Sequence, residues 1–487
     1  MSAIDMLEPV EVFRYFREIC SIPHGSGNTK AISDYCVEFA KNHGLEYIQD
    51  DLNNVIIRKP ASRGRENDKG IVLQGHLDMV AVKEPDSLHD FEHDALDLAV
   101  EGDMLYAKGT SLGGDDGIAI AYALAVLASE TLKHPALEAV FTVDEEIGML
   151  GADALDMSGI TGSYLLNIDS EEEGVLLVSC AGGLSGDIAL PVKRKKSLGI
   201  PLRLTVEGLM GGHSGTEIDK ERCNAIQLMG RLLFELSEKF GCSLISLCGG
   251  EKDNAIAKAC TAVLCVSDNE IQELLKYVSE LEAVYSAEYI SSDSGLRLVP
   301  EYVNGGESLR QDSIDAVSFG KIIFLLRQLP CGVQHYSADI EGLVETSMNL
   351  GIINMSKASD ELLMTVSVRS SVESRKAELS NKVRYLTEFL GGSYSAHGEY
   401  PAWQHKRDSK LLSEMQRLHE AVLGSKAKVE AIHAGLECGI LLKKKPSLEA
   451  VSFGPDIYDI HTAKEKMSIS SVERMWRYLT AIIEEIS

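Results

Sequence analysis

Five residues in this chain have the types that bind a divalent metal: the imidazoles of His76 and His461 and the carboxylates of Asp115, Glu146 and Asp169. Nitrogen with carboxylate oxygen is the donor set for zinc or a similar ion in a hydrolytic site. Five protein ligands exceed what one tetrahedral ion takes, but they suit two ions that share a bridging carboxylate and keep open positions for water and substrate. Any one of these residues alone reads more simply as a helix cap or a solvated turn. Their placement argues otherwise, because three short apolar runs each lead straight into such residues: IVLQ into Gly75-His76-Leu77-Asp78, LEAVFTV into Asp144-Glu145-Glu146, and YLLNI into Asp169. Asp78 comes two positions after His76, on the same side of an extended chain, where a carboxylate can fix the imidazole's tautomer. Glu145 and Glu146 are adjacent, so their side chains diverge, and one can bind metal while the other faces water as general base.

The elements that must carry these residues can be read from periodicity. Residues 8–20 and 28–43 read as helices, the second ending at Gly44 where a C-cap glycine belongs. The three apolar runs read as strands, with a buried helix over 117–128 between the first two. Such alternation predicts an α/β layer with a mixed, mostly parallel sheet, whose chemistry gathers beyond the carboxyl ends of the strands. From about residue 187 the texture changes to an α+β insertion, with a helix expected over 220–240 capped by Asp219. Within it, 262–282 and 362–386 resemble each other as strand followed by helix, an internal duplication. After 395 the α/β pattern resumes. The expected organisation is a discontinuous catalytic domain, 1–186 and 396–487, with a lid domain, 187–395, inserted in it.

Composition narrows the function. There are 47 Lys and Arg against 74 Asp and Glu, a net charge of −27, which should repel nucleic acid and anionic membrane. Ten scattered cysteines, none in C-x-x-C spacing, argue for reduced thiols in a cytoplasmic setting and against a cysteine-type zinc site. The N-terminus lacks a signal-peptide pattern, and the longest apolar stretch, 117–128, is too short to span a bilayer.

GHLDMV, LGGDDG, DEEIGM, NIDSEEEG, GGHSG and HAGLECG, with the late His461, together resemble the di-zinc aminoacylase/carboxypeptidase-type metallopeptidases, and within them the aminoacyl-histidine dipeptidase (carnosinase-like) branch. The resemblance runs over essentially the whole chain. It implies two zinc ions per chain, with cobalt or manganese as substitutes: one held by His76 and Asp169, the other by Glu146 and His461, and Asp115 bridging. It also implies that Asp78 orients His76, that Glu145 is general base and later proton donor, and that the peptide after Asp115 is cis. In the lid, His213 resembles the residue that stabilises the tetrahedral oxyanion, Arg369 the guanidinium that grips the substrate's C-terminal carboxylate, and Asn254 and Gly435 substrate contacts. Two motifs depart from the family pattern: the usual Asn-Ala-Ile-Pro reads Asn254-Ala255-Ile256-Ala257, and the last ligand motif reads His461-Thr462-Ala463-Lys464-Glu465.

The function implied is hydrolysis of Xaa-His dipeptides by zinc-activated water, on small peptide substrates, with neither nucleic acid nor membrane as partner and with a homodimer compatible. A broad dipeptidase, aminopeptidase or deacylase of the same chemistry is the alternative. A catalytically silent binding protein is a further one, against which the intact ligands and Glu145 count.

Overall fold

The computed structural model describes residues 3–486, which divide into two compact units. The first comprises Met1–Cys180, Trp403–Ala431 and Leu436–Ser487; the second comprises Ala181–Ala402 and the short return Ile432–Gly435. These limits differ by several residues from 186 and 395, and the return of 432–435 to the second unit has no counterpart in the sequence pattern.

The first unit is built on an eight-stranded sheet. Its centre is parallel: Ile71–His76 lies between Leu137–Thr142 and Tyr164–Asn167, and Glu449–Ser452 pairs beyond the latter. Antiparallel strands, among them Glu46–Gln49 and Val55–Lys59, complete the edges. The central strands are buried along their whole length, as continuous apolar runs in a covered parallel sheet should be. Register decides where the chemistry goes. His76 stands opposite Thr142 and Gln74 opposite Asn167, so the segments carrying Asp78, Asp144 to Glu146, and Asp169 all leave the sheet at one edge.

The buried helix is bounded by Gly114–Ala128, but Asp115 (φ −84°, ψ 102°) and Asp116 (φ −122°, ψ 29°) break its first turn, so the regular helix starts at Gly117 with the apolar run. The Asp115–Asp116 peptide is cis. The helix crosses the strand end so closely that a Cβ on Gly75 would lie 2.4 Å from Asp116 Oδ2 and 2.6 Å from the Ala119 methyl, which leaves room only for glycine there. Val10–Cys20 and Lys30–Asn42 are the first two α-helices, and Gly44 takes the left-handed conformation, φ 63°, that lets the second one stop.

The second unit holds an antiparallel ten-stranded sheet with helices Ala225–Lys239, Ile271–Glu288, Ala316–Gln328 and Glu373–Phe389. Both members of the suspected duplication appear as strand then helix: Cys260–Val266 with Ile271–Glu288, and Glu361–Ser370 with Glu373–Phe389. The expected cap Asp219 is a correction. It lies in a single 3-10 turn, Ile218–Lys220, after which Glu221 turns left-handed at φ 52°. The helix starts instead at Ala225, where the Asn224 side chain accepts from the amides of Ile226 and Gln227.

Candidate metal centre and substrate-binding residues

Asp115 sits between the two imidazoles. Its Oδ1 is 3.1 Å from His76 Nε2 and its Oδ2 is 3.1 Å from His461 Nε2. Beyond His76, Asp169 Oδ1 lies 3.8 Å from Nε2; beyond His461, Glu146 Oε1 lies 2.9 Å from Nε2. Each carboxylate oxygen of Asp115 therefore faces one half of a paired arrangement. Donor atoms of Asp115, Glu146 and His461 lie within 4.8 Å of one another, as do those of His76, Asp116 and Asp169 and those of His76, Glu145 and Glu146. Strand ends position most of these residues; His461 is placed by a loop in which it and Asp459 adopt φ near 59° and 55°.

The chemistry of this donor set fits cations. His76 Nδ1 donates to the main-chain carbonyl of Asp78 at 2.9 Å, which leaves Nε2 as the nitrogen that could ligate an ion beside Asp115 and Asp169. Glu146 Oε1 is buried and accepts no well-formed hydrogen bond, although His461 Nε2 is near. Crowded acids compete for positive charge. Burial pushes Asp169 well above the usual carboxylate range, with Asp116 adding to it. Burial also raises Glu145 to about 8, opposed by His76 and reinforced by Glu437, Glu146 and Asp115. The neighbouring carboxylates of Asp115 and Glu146 lift His461 to about 10. Burial works against the charge of Asp115, and bonding from His461 and His76 overcomes it and holds its pKa below the ordinary carboxylate range. A buried cluster in which carboxylates take up protons and imidazoles hold theirs is one that divalent cations would satisfy.

Asp78 differs in detail from expectation. Its carbonyl, not its carboxylate, is the direct partner of His76; Oδ1 is 3.6 Å from Nδ1. The carboxylate instead accepts from Ser26 Oγ at 2.8 Å, from the Glu145 amide at 3.0 Å and from the Glu146 amide at 3.4 Å. It thus clamps the segment bearing both glutamates. Asp78→Asn is expected to weaken metal affinity ~10–100-fold, as loss of a ligand's supporting partner does. Because an amide cannot accept on both sides, kcat should fall as well. Metal titration and steady-state kinetics on the same preparation check both effects, and an unchanged kcat would contradict the clamp.

Sequence reasoning left three acids of this centre without a role. Asp116 accepts from the His76 amide at 3.1 Å. Glu437, wholly buried, accepts from Gln74 Nε2 at 2.5 Å and from Thr142 Oγ1 at 2.6 Å, and burial raises it to about 7. Glu171, raised to about 7 by burial with Asp115 adding to it, lies two residues past Asp169. The paired DD and the acid directly after HAGL were the available signals.

The other four expected residues belong to the second unit. His213 and Ala255 pair across a two-strand ribbon, and the Ser214 amide donates to the Asn254 carbonyl at 2.9 Å. Asn349 Nδ2 donates to the carbonyls of Asp253 and Ala255, on either side of Asn254, at 2.9 and 2.8 Å; this fixes the loop that lacks the family's proline. Arg369 is only 9% exposed, yet none of the ion pairs among the described residues involves it, and its Nε has no hydrogen-bond partner. One nitrogen, Nη1, donates to Tyr400 Oη at 2.8 Å. Ser347, the register partner of Arg369, lies 2.7 Å from His433 Nε2, which ties the segment carrying Gly435 to this sheet. Burial holds His213 below the usual histidine range, and the Arg369 charge adds to that.

Residues 72–485 match the model of peptidase family M20/M25/M40. The chain belongs to that family. It is therefore an enzyme, a peptidase. Over 491 aligned residues it is 35% identical to a cytosol non-specific dipeptidase of Escherichia coli (strain K12), covering 100% of this chain and 99% of the relative. It is similar to the crystal structure of an aminoacylhistidine dipeptidase from Vibrio alginolyticus, with TM-score 0.92 and 35% identity over 100% of this chain and 98% of the other. The fold also matches an aminopeptidase PepT from Bacillus cereus at TM-score 0.56 and 14% identity, over 99% of each chain. No described helix is long and apolar enough to cross a membrane.

Proposed function

We propose that this peptidase is a cytoplasmic two-zinc dipeptidase that cleaves dipeptides of the Xaa-His type. The observation that carries the metal half of the reading is Asp115, a buried carboxylate with one oxygen toward each imidazole. His76 and Asp169 would hold one ion and Glu146 and His461 the other, with Asp115 the carboxylate they would share. Bound there, the pair would supply Lewis acidity toward a water and the scissile carbonyl. Glu145 takes a proton from that water and later delivers it to the leaving amine. Asp78 keeps Glu145 and Glu146 in place through their amides, and the Asp78 carbonyl selects the tautomer of His76.

The lid residues divide the substrate between them. His213 donates to the developing oxyanion as a neutral imidazole, in keeping with its lowered pKa. Arg369 grips the C-terminal carboxylate. A buried guanidinium without a carboxylate partner is costly unless a ligand supplies one. Asn254 and Gly435 contact the substrate backbone.

Release of free histidine from β-alanyl-histidine, with glycyl-leucine as control, tests the substrate class. Preference for the histidyl peptide supports the reading, whereas equal rates would favour the broad dipeptidase that the name of the Escherichia coli relative describes. Arg369→Ala should raise KM by ~10–100-fold, the loss of one charge-assisted pair worth about 1.5–3 kcal/mol. An unchanged KM would contradict the role of Arg369.

A further inference from the structure

We propose that Glu465 is a positioning residue for the metal centre, a carboxylate that locks the turn bearing Asp115 to the loop bearing His461. This rests on the metal reading above and adds to it a residue outside the ligand set. The helix Gly114–Ala128 begins without a side-chain cap from its own N-cap residue, since Gly113 stands at that position with φ 67°. Asp115 and Asp116 are non-helical, so the amides of the turn Leu112 to Asp115 that leads into the helix have no helical partner and, buried, need an acceptor. Glu465 supplies it from 350 residues away. Its Oε2 accepts from the amides of Leu112 and Gly113 at 2.8 and 3.1 Å, and its Oε1 accepts from those of Gly114 and Asp115 at 2.8 and 3.3 Å. The residue is 3% exposed, so these bonds have no water competing for them.

The same carboxylate is tied to His461 through a short turn. The Glu465 amide donates to the Thr462 carbonyl at 3.2 Å, and Thr462 Oγ1 donates to the Asp459 carbonyl at 2.7 Å. His461 Nε2 then faces Asp115 Oδ2 at 3.1 Å, which closes a ring of contacts: Asp115 side chain, His461, the turn, Glu465, Asp115 amide. Two ligand segments distant in sequence are thereby held in one register. Glutamine cannot replace this carboxylate, because its NH2 would point at amide N–H groups on one side. Aspartate keeps the charge on a stem one methylene shorter.

The test is cobalt(II) titration of the full chain and of Glu465→Gln and Glu465→Asp, monitored by the visible absorption of the ion and by calorimetry, with thermal melting of each metal-free protein. Cobalt affinity is expected to drop ~10–100-fold in Glu465→Gln and less in Glu465→Asp. The absorption bands at saturation should shift, since the ligand geometry is altered and not only the stability. Parental affinity with parental bands in a folded Glu465→Gln would overturn the proposal. So would variants that melt early while their folded fraction keeps the parental bands, because Glu465 would then only stabilise the fold. A parent chain that bound no cobalt would overturn the metal reading itself, and this inference with it.

Discussion

Glu145→Gln is expected to lower kcat by ~10²–10⁴-fold, a barrier increase of about 3–5 kcal/mol, while KM and metal content stay near their starting values. The substitution keeps size and shape and removes only the capacity to exchange a proton. The Glu145 amide still donates to Asp78 Oδ1, so the segment keeps its anchor. Its carboxylate is placed among His76, Glu146 and Glu437 in a buried setting that makes it a better base than an exposed glutamate, pushed up to about 8. Stopped-assay kinetics with elemental analysis of the same sample separate the two effects. Near-normal turnover would remove Glu145 from the proton transfer, and loss of metal would show that it is a ligand.

Asp115→Ala should have the widest consequence of any single substitution here. Metal content is expected to fall from about two ions per chain to fewer than one, since each Asp115 oxygen lies 3.1 Å from the Nε2 of a different imidazole. Activity should be lost with it, by more than the ~10–100-fold that removal of a supporting partner costs. The helix should survive, because the Asp115 amide, the atom that Glu465 holds, is unchanged. Circular dichroism checks the fold and elemental analysis the ions; a folded Asp115→Ala that retained both ions would refute the bridge.

Much of this centre was legible in the sequence because parallel strands in a covered sheet are continuous apolar runs, and the residues just past their carboxyl ends emerge at one shared edge. IVLQ, LEAVFTV and YLLNI announced both the strands and the places where the candidate ligands emerge, and the register of Ile71–His76 with its neighbours delivers them together. The class of fold was legible for the same reason. Contact across long separations is something that sequence spacing could not supply. Glu437 meets Gln74 across 363 positions and Glu465 meets Gly114 across 351. Local competition also hid the true start of the helix at Ala225: Asp219 and Asn224 are both good caps, and the left-handed turn at Glu221, which decides between them, leaves no periodic mark. Likewise, the loop bearing Asn254 is held by a side chain, Asn349, that comes from a different strand.

Whether Asp115 joins two ions in this cluster is open to direct measurement. Anomalous diffraction at the zinc edge from crystals of the zinc-loaded protein measures that directly. Two peaks are expected, about 3.5–4 Å apart as in other two-metal sites, one against His76 and Asp169, the other against Glu146 and His461, with Asp115 touching both. A single peak, or a second peak that Asp115 does not reach, would contradict that expectation.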